Sequence, residues 1–273
     1  MTVKSVHKAL SILKAVAQTG EGLTVQQVSE AVGLPYATAH RFVSTLVEEG
    51  FLQLHEDRKR YRVGPELLKL FGGISHQTHV GRQVYPYLAK LNAQTGETVH
   101  LAVRYGVDVV YLDTLVATSS FAMYTPVGTR TYLHCTALGK ALLAFSSDAE
   151  INVLLSDYEF RRMTENTITS IGELWEEILK IRSRGYAVDM EEGSPGVRCV
   201  ASIIINGAGR AEAAVSVSTP ARRLATPEAI ATMAEYVCGT CRLASRAIGG
   251  SPGPDPSEWY REMYGGWRSA ASS

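Results

Sequence analysis

The stretch from Gly33 to Phe51, GLPYATAHRFVSTLVEEGF, limits the possible folds more than any other part of this 273-residue chain. Ala39, Phe42, Val43 and Leu46 recur at helical spacing and form one apolar stripe. The other side carries Ala37, Arg41, Ser44 and Glu48, flanked by Thr38 and His40. Leu34-Pro35 is a turn, because a residue before proline avoids helix. Ahead of it, VQQVSEAV reads as a second short helix that stops at Gly33, with Thr24 and Gln27 as a capping box. An earlier helix is expected with Ser5 as its cap, Val6, Leu10, Leu13 and Ala17 on one face, and Gly20 and Gly22 at its end. After Gly50, FLQL and RYRV read as two strands around HEDRK. Three short helices, a tight middle turn and a hairpin predict a winged helix-turn-helix over residues 1–64. A helical packing module with no DNA role fits the same pattern.

Residues 65–80, PELLKLFGGISHQTHV, read as a helical linker weakened at Gly72-Gly73, and the pattern changes beyond it. ETVHLAVRYGVDVVYLDTL holds two alternating apolar runs with a turn at Tyr105-Gly106, hence a hairpin. SFAMYTPVG is expected to be a strand. TALGKALLAF is a short helix capped by Thr136. Ser170 and Glu173 form a second capping box, opening a helix with Ile171, Leu174, Ile178 and Ile181 inward and Gly185 at its end. YAVDM, RCVASIII and EAAVSVS are three more strands, and a final helix starts at Thr226 with Pro227 in its first turn. Strands interleaved with helices predict an α+β domain over 81–249. The stretch after Gly250, rich in Gly, Pro and Ser, is expected to be a flexible tail over 250–273.

Composition trims the possible functions. Formal net charge is +0, so there is no whole-chain basic footprint and any nucleic-acid contact must be local. Four cysteines show no disulfide framework. The N-terminal MTVKSVHKALSIL lacks the apolar core of a signal peptide, and no run of about 18 apolar residues predicts a membrane span. The expected setting is cytoplasmic.

Five stretches in this order, SVHKALSIL, GLTVQQVSEAVGLPYATAHRFVSTLVEEGFL, YRVGPELLKL, HCTALGKALLA and RGYAVDMEEGSPGVRCVASII, resemble the IclR family of bacterial transcription regulators over residues 4–249. The resemblance implies a mixed α/β chain: a winged helix-turn-helix, a linker helix and an effector-binding domain related to the GAF fold. It also implies a homodimer, often a dimer of dimers, on a partly symmetric double-stranded operator, acting as repressor or activator. Two departures stand out. Ile203 stands where the family often has proline, and the tail has no counterpart.

On this reading the helix at 36–49 is the recognition helix, whose first residues meet base edges in the major groove. Ala37 permits close approach. Arg41 can fork onto guanine, hold a phosphate or stay solvated. Thr38 and His40 can bond bases or phosphates, Ser44 shares their face, and Tyr36 contacts the backbone or packs on the preceding turn. Thr24 joins this set at the start of the preceding helix. At the wing tip Arg58, Lys59, Arg60 and Arg62 suit phosphate or minor-groove contact, or are merely solvated; such contacts give affinity and salt dependence rather than sequence choice.

In the second domain, the backbone N–H groups of Ala137, Leu138 and Gly139 open a helix and make an anion site suited to a carboxylate. Ser216 and Ser218 share one strand face, toward a pocket or toward water. Asp189 ends a strand and can otherwise cap a turn; Cys199 opens the next strand and can otherwise be core. The resemblance implies effector contacts at Ala137, Leu138, Asp189, Cys199, Ser216 and Ser218. Met123 and Tyr124 are weaker candidates for the same cup. The expected effector is a small organic or aromatic acid, whose binding moves the linker helix and so the spacing of two recognition helices. His134-Cys135 cannot serve as base and nucleophile, because adjacent strand residues point to opposite faces. No cofactor, catalytic residue or metal site is expected: Cys238 and Cys241 lie i, i+3 without a second ligand pair nearby, and His76 and His79 sit in the linker. The alternatives are a small-molecule-binding protein or enzyme whose N-terminal module mediates protein contacts, and a regulator with a vestigial pocket that answers to a partner protein.

Overall fold

The computed structural model describes residues 2–55, 59–67, 69–70, 79–118 and 123–252. The chain divides into two compact units, Met1–Thr78 and His79–Ser273, and the expected linker span 65–80 straddles that division.

The first unit contains α1 (Lys4–Ala17), α2 (Val25–Val32), α3 (Tyr36–Glu48), β1 (Leu52–His55) and β2 (Arg60–Val63). The capping box at α2 is reciprocal: the Gln27 N–H donates to Thr24 Oγ1 at 3.3 Å, and the Thr24 N–H donates to Gln27 Oε1 at 3.0 Å. Gly33 ends α2 in the left-handed region at φ 63°, and the Ser29 hydroxyl donates to the Leu34 carbonyl, which tightens the turn before α3. Ile12, Val16, Val25, Val28, Ala39, Val43, Leu46 and Leu52 close the core. Phe42 packs against it only partly buried.

Two expectations about α1 are corrected. Ser5 lies inside the helix, whose N-cap Val3 supplies no side-chain bond. The buried residues are Ile12 and Val16, whereas Val6 and Leu10 are about half exposed, at 54% and 50%. The helix is apolar on two sides, and the side that meets α2 and α3 is the one holding Ile12 and Val16. The wing pairs Leu52 with Val63 through His55 with Arg60. Leu23 adds an antiparallel bridge to Tyr61, with N–H···O bonds of 3.0 and 2.7 Å.

The second unit opens with α4 (His79–Thr95), a helix that the linker reading cut short at residue 80. Val80, Val84, Leu88 and Leu91 are buried at helical spacing, and the helix carries Pro86 in its interior. A six-stranded antiparallel sheet follows in the order β5-β4-β3-β8-β7-β6. Its strands are β3 (Thr98–Tyr105), β4 (Asp108–Leu115), β5 (Arg130–Tyr132), β6 (Ala187–Met190), β7 (Val197–Ile205) and β8 (Ala211–Pro220). The helices are α5 (Ala137–Ala144), α6 (Asp148–Leu155), α7 (Ile171–Arg184) and α8 (Pro227–Ala247). α4 and α8 pack on each other and on the sheet, and α5 packs on β7, β8 and β6.

Two further expectations change. Residues 123–128 of SFAMYTPVG form no strand. They lie beside β4, where the Tyr111 N–H donates to the Thr129 carbonyl, the Gly128 N–H to the Tyr111 carbonyl and the Thr114 hydroxyl to the Thr125 carbonyl. The edge strand is instead Arg130–Tyr132. At α7, Ser170 caps the Glu173 N–H, and the Glu173 carboxylate accepts the Thr169 N–H at 3.0 Å. Ile171 is 41% exposed because it sits on the first turn beyond the core, while Leu174, Ile178 and Ile181 are buried. Ile203 occupies the centre of β7, fully buried and paired with Ala214. Among the described residues no helix is long and apolar enough to cross a membrane.

Candidate functional site

α3 starts without a side-chain cap, because Pro35 occupies the N-cap. The Pro35 carbonyl already accepts from Thr38 and Ala39 at 2.9 Å, so the amides of Tyr36 and Ala37 are the ones with no place in the helical ladder. Tyr36 is 53% exposed, and its ring lies 6.3 Å from that of His40 on the same side of the helix. Ala37, His40 and Arg41 are exposed; Thr38 and Ser44 are half-buried. The apolar stripe of Ala39, Val43 and Leu46 fixes which way this face points, since turning the helix would expose the core.

The wing places its basic residues unequally. Lys59 is exposed at the tip with φ 48°. Arg60 Nη1 donates to the Gly22 carbonyl at 2.8 Å and Arg62 Nε to the Glu21 carbonyl at 3.4 Å, so both guanidinium groups fasten the wing to the turn after α1. Gly22 allows this docking: a Cβ there would lie 2.5 Å from the Tyr61 carbonyl oxygen. Thr24 is half-buried with its hydroxyl engaged in the capping box. Arg58 lies outside the described residues.

In the second unit a cavity of about 230 Å³ opens at the N-terminus of α5. Six residues picked from the sequence meet there: Ala137 and Leu138 from the helix, Asp189 from β6, Cys199 from β7, and Ser216 and Ser218 from β8. Strand register brings them together. Asp189 pairs with Cys199 and Cys199 with Ser218, so their side chains share one face of the sheet, while Val215 and Val217 are buried on the other. Met123 lines the cavity. Gly139 and Tyr124 do not: the Gly139 N–H donates to Thr136 Oγ1 at 3.1 Å, and Tyr124 is 68% exposed. Gly139 serves packing, since a Cβ there would lie 2.5 Å from the Leu133 carbonyl oxygen.

The sequence reading missed Tyr111, Arg130, Gly193 and Ser194, which also line the cavity. Tyr111 comes from an alternating strand in which either face could have been inward. Gly193 carried a signal, because it follows the carboxylates of the DMEEG loop. A Cβ there would meet the Cys135 carbonyl at 3.0 Å and Asp189 Oδ2 at 3.4 Å, so glycine lets that loop close onto the start of α5.

Burial sets the electrostatics. Asp189 accepts the Glu192 N–H on Oδ1 at 2.7 Å, yet desolvation pushes its carboxyl up to about 7 against the opposing pull of Lys140. Lys140, fully buried on α5, donates to Glu192 Oε1 at 2.5 Å, and Glu192 Oε2 is a buried acceptor with no hydrogen-bond partner. The Thr167 hydroxyl donates to the Glu192 carbonyl at 2.8 Å, anchoring this loop. Cys199 Sγ lies 3.1 Å from Ser218 Oγ, and burial raises its thiol well above the ordinary range. Behind the cavity wall, burial pulls the His100 imidazole down to about 4. The Thr114 hydroxyl gives its proton to the Thr125 carbonyl, so His100 Nδ1, 3.1 Å away, is the donor to Thr114 and Nε2 is a bare acceptor.

His134 and Cys135 lie past the end of β5 at Tyr132 and not on a strand, so the expected strand alternation does not apply to them. His134 Nε2 donates to the Arg161 carbonyl at 3.0 Å, and its Nδ1 accepts the Tyr158 hydroxyl at 2.8 Å. Burial pushes the Cys135 thiol up to about 12. All four cysteines are buried and outside any disulfide, and among the described residues no three His, Cys, Asp or Glu side chains gather to hold a metal ion.

Both units are similar to known proteins. Residues 5–56 match the IclR helix-turn-helix domain, and residues 73–246 match the family described as bacterial transcriptional regulator IclR C-terminal. The HTH-type transcriptional regulator BhcR of Paracoccus denitrificans is 31% identical over 256 residues, 94% of this chain and 90% of that one. The HTH-type transcriptional regulator XynR of Escherichia coli is 31% identical over 247 residues, 90% of this chain and 98% of that one. The crystal structure of Thermotoga maritima IclR superposes with a TM-score of 0.79 at 32% identity, covering 90% of this chain and 99% of that one. An IclR homolog from Microbacterium hydrocarbonoxydans, crystallised with 4-hydroxybenzoate, shares the fold with a TM-score of 0.77 at 20% identity, covering 89% and 98%. An N-terminal helix-turn-helix, a C-terminal α+β domain and relatives named as regulators and repressors give one conclusion: this chain belongs to the IclR family of bacterial transcription regulators.

Proposed function

We propose that this regulator works in the cytoplasm as a homodimer or dimer of dimers, reads a partly symmetric operator with α3, and releases or grips it in response to a small acid in the α5 cavity. The observation that carries the reading is the outward face of α3: an uncapped first turn, a methyl at Ala37 and an exposed guanidinium at Arg41 on a helix whose opposite stripe is locked into a core. Arg41 is the base-reading residue, forked on a guanine. Ala37 approaches a thymine methyl, and Thr38, His40 and Ser44 serve neighbouring bases or phosphates. Tyr36 and Lys59 hold the backbone, while Thr24, Arg60 and Arg62 support it from positions already bound within the fold. The effector carboxylate takes the free amides of Ala137 and Leu138, and Asp189, Cys199, Ser216 and Ser218 read the rest of the molecule.

Selection of random duplex DNA on the intact protein, repeated with Arg41→Ala, tests this. The wild type should enrich a near-palindrome with half-sites one helical turn, or a multiple of it, apart. The variant should blur one base pair in each half-site. Failure to enrich any sequence, with or without a panel of small carboxylates, would overturn the reading.

A further inference from the structure

Around Asp189, carboxyl groups outnumber cations before any ligand arrives. Two buried carboxylates, Asp189 and Glu192, stand beside one buried cation, Lys140, and that cation is engaged by Glu192 at 2.5 Å. The other groups facing Asp189 bring no positive charge: Cys199 from β7, Tyr111 from β4 and Cys135 from the segment before α5. Arg130 lines the mouth, but its Nη1 lies 3.2 Å from Asp108 Oδ2, its guanidinium stacks over Tyr105, and its side chain is 56% exposed. An anion seated on the amides of Ala137 and Leu138 therefore shares a desolvated space with Asp189 and has no free buried cation beside it among the described residues. Two carboxylates in one low-dielectric site cannot both stay ionised; one takes a proton.

We propose that the effector acid enters together with one proton, which Asp189 takes from solvent and donates, as O–H, to the carboxylate held at the N-terminus of α5. This rests on the acid reading of the cavity and assigns Asp189 a role as hydrogen-bond donor. The balance is simple: buffer gives H⁺ to the Asp189 carboxylate, no other bond changes, and the proton returns when the effector leaves. The device selects monoanionic acids and couples operator control to pH.

The sign follows from linkage. Asp189 in the free protein titrates near 7, and a neighbouring anion raises it further. Below that value the proton is already present and acid affinity is flat. Above it each bound acid imports a proton, and affinity falls by up to ~tenfold per pH unit.

Isothermal titration calorimetry of the intact protein tests this with acetate, benzoate and 4-hydroxybenzoate, and with benzamide as an uncharged analogue. Each is titrated at about pH 6 and about pH 8 in two buffers of different ionisation enthalpy. The expected result is uptake approaching one proton per bound acid near pH 8, much less near pH 6, and none with benzamide. Asp189→Asn, which keeps N–H donors but has no proton to take up, should bind the acids with a flat pH profile. Acid binding near pH 8 with uptake below about 0.2 proton overturns the proton-coupled entry alone. If none of the three acids binds, the acid reading of the cavity falls first, and the proton falls with it. Should Asp189→Asn not fold, the buffer comparison on the wild type still decides.

Discussion

The proposed DNA-reading face of α3 and the proposed effector cavity at α5 are opposite in construction. On α3 the functional groups come from one helix within a single stretch of sequence, they point outward, and the fold needs none of the exposed ones. In the cavity they come from six elements, β4, β5, α5, β6, β7 and β8, most of them are buried, and most belong to the packing of the sheet. The difference predicts where function can be changed without damage. The DNA face should be free to vary with little effect on stability, whereas the sensor's specificity and its stability draw on the same atoms.

The largest test of that contrast is Lys140→Met. It leaves Glu192 as an unbalanced buried charge and should cost the second unit about 3–5 kcal/mol, read as a lower urea midpoint. The first unit has no tryptophan, and Trp175 packs against the core of the second, so its fluorescence reports this unit. Adding Glu192→Leu should recover most of the loss; an unchanged midpoint in the single variant would mean that the pair is not part of the sheet's packing. Gly139→Ala comes next, at about 2 kcal/mol, because its Cβ would meet the Leu133 backbone at 2.5 Å. Arg41→Ala should cost about 1–3 kcal/mol in discrimination at one operator position and leave both unfolding midpoints within about 0.5 kcal/mol. A large stability loss there would erase the contrast. Thr24→Ala removes a reciprocal cap and should lower the stability of the first unit by about 1 kcal/mol. The smallest effect belongs to Lys59→Ala: affinity should drop alike on all sequences, with the salt slope shallower by about one.

The same contrast explains what could be read in advance. α2, α3 and the turn between them were legible because cap, stripe and stop agree within thirty residues. α1 was read on the wrong face, since Val6 and Leu10 compete with Ile12 and Val16 and only the packing partners decide. α4 was missed although Val80, Val84, Leu88 and Leu91 keep helical spacing, because Gly81 and Pro86 look like breakers when tertiary burial is unseen. In the cavity, Thr136 announced the helix N-terminus and alternation announced Ser216 and Ser218. Tyr111 could not be found, because its inward direction depends on a register shift between Leu101 and Ala102 on the neighbouring strand. The Lys140–Glu192 pair spans 52 positions and leaves no local trace.

The strand order carries a consequence for synthesis. Among the described residues the β5-β4-β3 half of the sheet pairs with the β7-β6 half through β8, which ends at Pro220, and α4 packs on α8. The first unit closes on contacts within its own 78 residues. As the chain leaves the ribosome, the part that reads DNA can fold while the sensing part still waits for its last strand. The helix-turn-helix unit is thus complete before the cavity at α5 has all its walls.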